Sequence, residues 1–163
     1  MAEEPNAATS GRTDSAPGDP VDWTLRIPNR LELMTAVRSL VGATCDTHGV
    51  EGDAREELLL AVSELVNNSI EHVRGPGPDG RHEVEVRFGI GAGVAVGAVR
   101  DRGEGAVGQG TFDNAVVPGL DDDRGRGLFL IKAYVDDVRV TAIPGTGTEI
   151  RFEKRLGGDG RGA

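Results

Sequence analysis

Residues Arg55 to Val73, REELLLAVSELVNNSIEHV, decide how the chain is read. Leu58, Ala61, Val62, Leu65, Ser69 and Val73, with Leu59, Val66 and Ile70 beside them, recur at steps of three and four, the spacing of an apolar helix face turned to a core. Glu64, Asn68, Glu71 and His72 fall on the opposite side. Two consecutive asparagines sit badly in a helix interior. Glu64 and Asn68 are four apart, which brings their Cβ atoms within roughly 5–6 Å on one surface. A carboxylate and an amide oxygen at that spacing can act as a general base and a metal ligand. From this helix alone, a solvated polar face explains the same residues.

Upstream, Asn29 is placed to cap an earlier helix whose stripe is Leu33, Val37, Leu40, Val41 and Thr44, ended by His48 and Gly49. Asp53 is placed to cap the helix quoted above. Trp23, Leu25 and Ile27 alternate with polar neighbours from Val21 to Ile27, a half-buried strand that Pro28 stops. Trp23 reads as packing, and Cys45, the single cysteine, as a small buried residue that excludes an internal disulfide.

Downstream, the helix breaks at RGPGPDG, Arg74 to Gly80. Strands over His82 to Ile90 and Gly93 to Arg100 form a hairpin around Gly91 and Ala92. Asp101 to Arg126 has no sustained periodicity, and a loop of that length in a compact domain is usually functional or mobile. Gly127 to Val135 reads as a short helix, followed by strands over Asp137 to Ile143 and Thr148 to Lys154. The order strand, helix, helix, strand, strand, loop, helix, strand, strand predicts an α+β two-layer sandwich: a mixed, mostly antiparallel sheet covered on one face by about three helices. The domain is expected over residues 21–156, between a disordered tail at 1–20 and a flexible one at 157–163.

The charge balance, 18 Lys plus Arg against 27 Asp plus Glu for a net charge of -9, opposes a surface that gathers phosphate backbones, so nucleic acid is not an expected partner. No apolar run reaches the ~18 residues of a membrane span, and no secretory signal opens the chain, so a cytoplasmic location without membrane contact is expected.

Three further elements carry chemistry. In VRDRGEG, Val99 to Gly105, Asp101 stands where a strand stops; its carboxylate can accept a hydrogen bond from an exocyclic amine, while Gly103 and Gly105 let backbone approach a flat ring such as adenine. Gly103, Gly105 and Gly108 also spell the dinucleotide fingerprint, but that motif needs a helix to begin there, and the chain continues instead as QGTFDNAVVPGL. In RGRGLFL, Arg124 to Leu130, Gly125 and Gly127 lead into a helix start that favours an anion, with Arg124 and Arg126 able to add charged contacts to a triphosphate. In GTGTEI, Gly145 to Ile150, Thr146 and Thr148 offer hydroxyls that either meet a nucleotide or satisfy a turn.

In this order and at these separations, the four elements resemble the N, G1, G2 and G3 boxes of the GHKL (Bergerat-fold) ATP-binding superfamily, which includes gyrase, heat-shock chaperone ATPases and sensor histidine kinases. SELVNNSIEH, VRDRGEG, GRGLFLI and YVDDVRV look most like the small anti-sigma-factor serine kinases of bacteria, over about Val21 to Leu156. The resemblance implies ATP and Mg²⁺ as cofactors, Glu64 as general base toward a substrate serine hydroxyl, Asn68 as the Mg²⁺ ligand, Asp101 with Gly103 and Gly105 at adenine, Gly125 and Gly127 at the phosphates, and Thr148 as the threonine of the last box. Arg124 and Arg126 stand near the terminal phosphate. Ala106 to Asp123 would form the lid, glycine-rich and acidic near its end. The implied activity is phosphorylation of a STAS-type anti-anti-sigma partner by a protein that otherwise sequesters a sigma factor, with a homodimer through the sheet edge and first helix as a family option. The alternative is a non-catalytic module in which ATP only shapes a partner-binding surface. The chain before Trp23 is too short and polar for the dimerising phosphoacceptor helices of a sensor histidine kinase.

Overall fold

The computed structural model describes residues 19–72, 83–102, 126–143 and 147–157; at His72, Arg126 and Leu128 it describes the backbone only. Gly103, Gly105, Arg124, Gly125, the expected lid and the Arg74 to Gly80 break lie outside the described residues. Strand β1 (Trp23–Pro28) leads through a 3-10 turn (Leu31–Leu33) into helix α1 (Met34–Thr47), then α2 (Gly52–His72), the hairpin β2 (Glu83–Gly91) and β3 (Val94–Asp101), helix α3 (Arg126–Tyr134), and strands β4 (Asp137–Ile143) and β5 (Gly147–Arg155). The sheet order is β1-β2-β3-β5-β4. Each of these pairings is antiparallel, so the described sheet has none of the parallel character that a mixed sheet would show.

Period-two alternation puts Val84, Val86, Phe88 and Ile90 of β2, Val99 of β3 and Ile150 and Phe152 of β5 on the helix-facing side. They bury against Val37, Val41 and Cys45 of α1 and Leu58, Ala61, Val62 and Leu65 of α2 to form one core. Trp23 packs on Phe88 with ring centroids 5.9 Å apart, and its indole N–H donates to Thr44 Oγ1 at 2.8 Å. Gly97, opposite Phe152, leaves the space that the phenyl ring fills.

Local signals were less exact than the periodicity. Asn29 caps no helix: neither the 3-10 turn nor α1 has a side-chain cap bond, and Asn29 Oδ1 is buried without a partner among the described residues. Asp53 lies inside the first turn of α2 instead of capping it, because the helix already begins at Gly52, whose φ of 60° only glycine adopts readily. Leu40, placed in the core stripe, is 37% exposed, since the inner face of α1 is taken by Val37, Val41, Gly42, Thr44 and Cys45. The hairpin turns at Ala92 and Gly93, both with positive φ, one residue later than the composition suggested. Among the described residues no helix is long and apolar enough to cross a membrane.

Candidate functional site

The polar face of α2 is covered at Glu64 and Asn68, while Glu71 is exposed. Glu64 and Asn68 are half-buried because the first turn of α3 lies on them. A Cβ on Gly127 would stand 2.5 Å from Glu64 Oε2, and 3.4 Å and 3.5 Å from Asn68 Nδ2 and Oδ1. With any larger residue there, the Glu64 carboxylate or the α3 turn would have to shift. Burial pushes the Glu64 carboxyl above its ordinary pKa, and the charge of Glu71, two turns along the same helix, pushes it further. The carboxylate is therefore a stronger base than a solvated glutamate. Asn68 Nδ2 is buried with no hydrogen-bond partner among the described residues, an arrangement that costs free energy unless something else completes it.

The second half of the site is made by the sheet. The β3–β5 register pairs Arg100 with Glu149, so the next pair sets Asp101 across from Thr148 on the helix-facing side. The Thr148 N–H donates to Asp101 Oδ1 at 3.2 Å. Thr148 is 2% exposed and its Oγ1, like Asn68 Nδ2, has no partner among the described residues. Gly147 is what lets the strands meet this way: its φ is 113°, and a Cβ there would run into the Asp101 backbone carbonyl. Sequence reading singled out the threonines of GTGTEI and passed over this glycine, because its partner is distant in the chain.

Both halves lie at one end of the sandwich. At the other end, His48, Val50 and Ala54, around the start of α2, line a cavity of about 480 Å³ with the β2–β3 turn and Leu156. From there α2 runs toward the ends of β3 and β5 that carry Asp101 and Thr148. Asn68, 16 residues past Gly52 on α2, is then about 24 Å along the helix at 1.5 Å per residue, close to the length of the eight-residue strand β3. Thus Glu64, Asn68 and Gly127 form one cluster and Asp101 and Thr148 another, both toward the same end of the sandwich. Arg126 opens α3.

The donor set suits a nucleotide with its metal. Among the described residues, Asn68 Nδ2 and Thr148 Oγ1 are buried without partners; the Nδ2 group is a donor fitted to a phosphate oxygen, and Oδ1 of the same amide is the oxygen that would take a metal. Among the described residues no three His, Cys, Asp or Glu side chains gather into a metal cage. Mg²⁺ does not require one, since it is commonly held by one or two protein groups together with phosphate oxygens and water.

The sequence pattern of the histidine kinase-like ATPase domain family matches residues 27–154. The serine-protein kinase RsbW of Oceanobacillus iheyensis is 28% identical over 122 residues, covering 71% of this chain and 76% of that protein. RsbW of Bacillus subtilis is 26% identical over 147 residues, covering 83% and 86%. Among solved structures, that of the RsbU and RsbW domains of a Mycobacterium tuberculosis protein superposes with a TM-score of 0.57 at 20% identity, over 82% of this chain. This chain spans 32% of that longer one, and the likeness is one of fold.

Proposed function

We propose, from the premise that the chain belongs to the histidine kinase-like ATPase domain family, that it is an ATP- and Mg²⁺-dependent serine/threonine kinase acting as a cytoplasmic anti-sigma factor. Its substrate would be a STAS-type anti-anti-sigma protein, and the unmodified partner balance would decide whether a sigma factor is sequestered. The observation that carries this reading is the placement of Glu64, raised in pKa and half-buried, beside Asn68 under Gly127 in the first turn of α3. The similarity to RsbW serine-protein kinases supports the same class of chemistry.

In this reading Glu64 accepts the proton of the substrate hydroxyl as that oxygen attacks the terminal phosphorus, and the bond from that phosphorus to the bridging oxygen breaks so that ADP leaves. Asn68 holds the metal, whose chemical contribution is to neutralise charge on the phosphate oxygens. Asp101, steadied by the Thr148 N–H, accepts from the adenine amine, and Thr148 Oγ1, without a partner among the described residues, gains one. Gly103, Gly105, Arg124, Gly125 and Arg126 supply the close approach and charge around the base and phosphates that their residue types permit. A homodimer through β1 and α1 belongs to the same proposal.

The first experiment is thermal unfolding with and without ATP and Mg²⁺. A ligand at 100 times its dissociation constant stabilises the native state by ~2.7 kcal/mol. A shift that disappears in Asp101→Asn supports the site; no shift in the native protein refutes it. Phosphate transfer to the partner is the second.

A further inference from the structure

Two contacts near opposite ends of the α2–α3 interface bear on the site. One is Gly127 on Glu64 and Asn68. The other is supplied by β5: Lys154 Nζ donates to the Tyr134 carbonyl at 2.8 Å and pairs with Glu57 Oε2 at 2.6 Å. Tyr134 is the last residue of α3. Its carbonyl is among those that have no partner within a helix, at the end where the dipole favours a cation. The Lys154 side chain is only 13% exposed, an uncommon setting for lysine and one in which charged contacts are weakly screened. Two more bonds tie the exit of α3 to the same end of β5: Asp136 N–H donates to the Glu153 carbonyl at 2.9 Å, and Arg155 N–H to Asp136 Oδ2 at 2.6 Å.

The spacing of the two points is matched. Glu57 and Glu64 are two turns apart on α2, and Gly127 and Tyr134 are two turns apart on α3, about 10.5 Å in each case. Glu57 is joined through Lys154 to Tyr134, and Glu64 lies under Gly127, so the helices run antiparallel in one register. A pin at one end therefore fixes what touches Glu64 at the other.

We propose that Lys154 is a positioning residue for phosphoryl transfer: acting through Tyr134 and Glu57, it sets how closely the first turn of α3 rests on Glu64 and Asn68. The proposal rests on the reading of Glu64 as the base. Its own machinery, however, is a helix register that can be measured without turnover.

The test compares Lys154→Met, Lys154→Arg and Glu57→Gln with Arg26→Met, which removes an ion pair to Glu85 on the sheet face away from α3. Hydrogen exchange of the α3 amides, the ATP dissociation constant, and kcat and KM are measured for each. In Lys154→Met the α3 amides exchange about tenfold faster and kcat falls about tenfold, the equivalent of one lost charge-assisted hydrogen bond. KM for the protein substrate stays near its native value. Lys154→Arg recovers most of both losses, Glu57→Gln loses part of each, and Arg26→Met changes neither α3 exchange nor kcat. Unchanged α3 exchange in Lys154→Met, or an equal loss of kcat in Arg26→Met, overturns the proposal. If the native protein binds ATP yet transfers no phosphate, the kinase reading fails, and the pin is judged by α3 exchange and ATP affinity alone.

Discussion

Gly127 and Glu64 meet across the α2–α3 interface with no room for a methyl group: a Cβ on Gly127 would lie 2.5 Å from Glu64 Oε2. Gly127→Ala must therefore push the carboxylate aside or lift α3 from α2. Overpacking of this kind costs ~1–3 kcal/mol, partly offset by the ~1 kcal/mol that alanine gains over glycine in a helix. The expected result is a small net change in stability with a loss of at least about tenfold in phosphate transfer. Native turnover in this variant would show that the contact is not what positions Glu64.

The raised pKa of Glu64 makes a prediction about stability and pH. Burial and Glu71 disfavour its ionised form in the folded chain. The contribution of this group to stability is thus full below the unfolded glutamate value, ~4.3, and is lost as pH rises through the higher folded value. Glu64→Gln does not ionise, so without nucleotide it should be more stable than the native protein at pH 7, with the difference closing as the pH approaches 4. Urea unfolding across that range measures it. A difference that does not vary with pH would assign the effect to packing.

Thr148 separates a role in folding from a role in binding. Its buried Oγ1 has no partner among the described residues, and such a group costs ~1–3 kcal/mol. Thr148→Val should raise the stability of the nucleotide-free protein by about 1 kcal/mol and weaken ATP binding about tenfold. Calorimetry with and without ATP gives both. A destabilised variant would mean that the hydroxyl serves the fold.

Gly147→Ala should lose about 1–3 kcal/mol, because its φ of 113° strains any side chain and its Cβ would meet the Asp101 carbonyl. Thermal melts followed by circular dichroism would record the loss. Native stability in this variant would contradict the close approach of β3 and β5 at Asp101.

The element order was legible because it depends on short-range period: three-four steps in α2, alternation in β2, proline at the end of β1. Glu64 and Asn68 were visible as a pair for the same reason. What covers them was not, since Gly127 reaches them only after β5 has been paired between β3 and β4 and has set the exit of α3. Gly147 and Lys154 were missed on the same ground, each acting on a residue brought near by the sheet. Leu40 shows the limit of a stripe: its period was correct, but the sheet covers only part of α1, and Thr44 is drawn inward by the Trp23 indole. Asn29 failed as a cap because a 3-10 turn intervenes before α1.

The central claim is that Glu64 serves phosphate transfer and not merely nucleotide binding. The most direct measurement incubates the protein with γ-labelled ATP, Mg²⁺ and a STAS-type anti-anti-sigma protein, and follows label on the partner's serine. The account predicts phosphoserine with the native chain, and with Glu64→Ala a loss of at least about a hundredfold in rate while ATP still binds. A native protein that binds ATP and leaves the partner unlabelled, or a Glu64→Ala variant that labels it at the native rate, would contradict it.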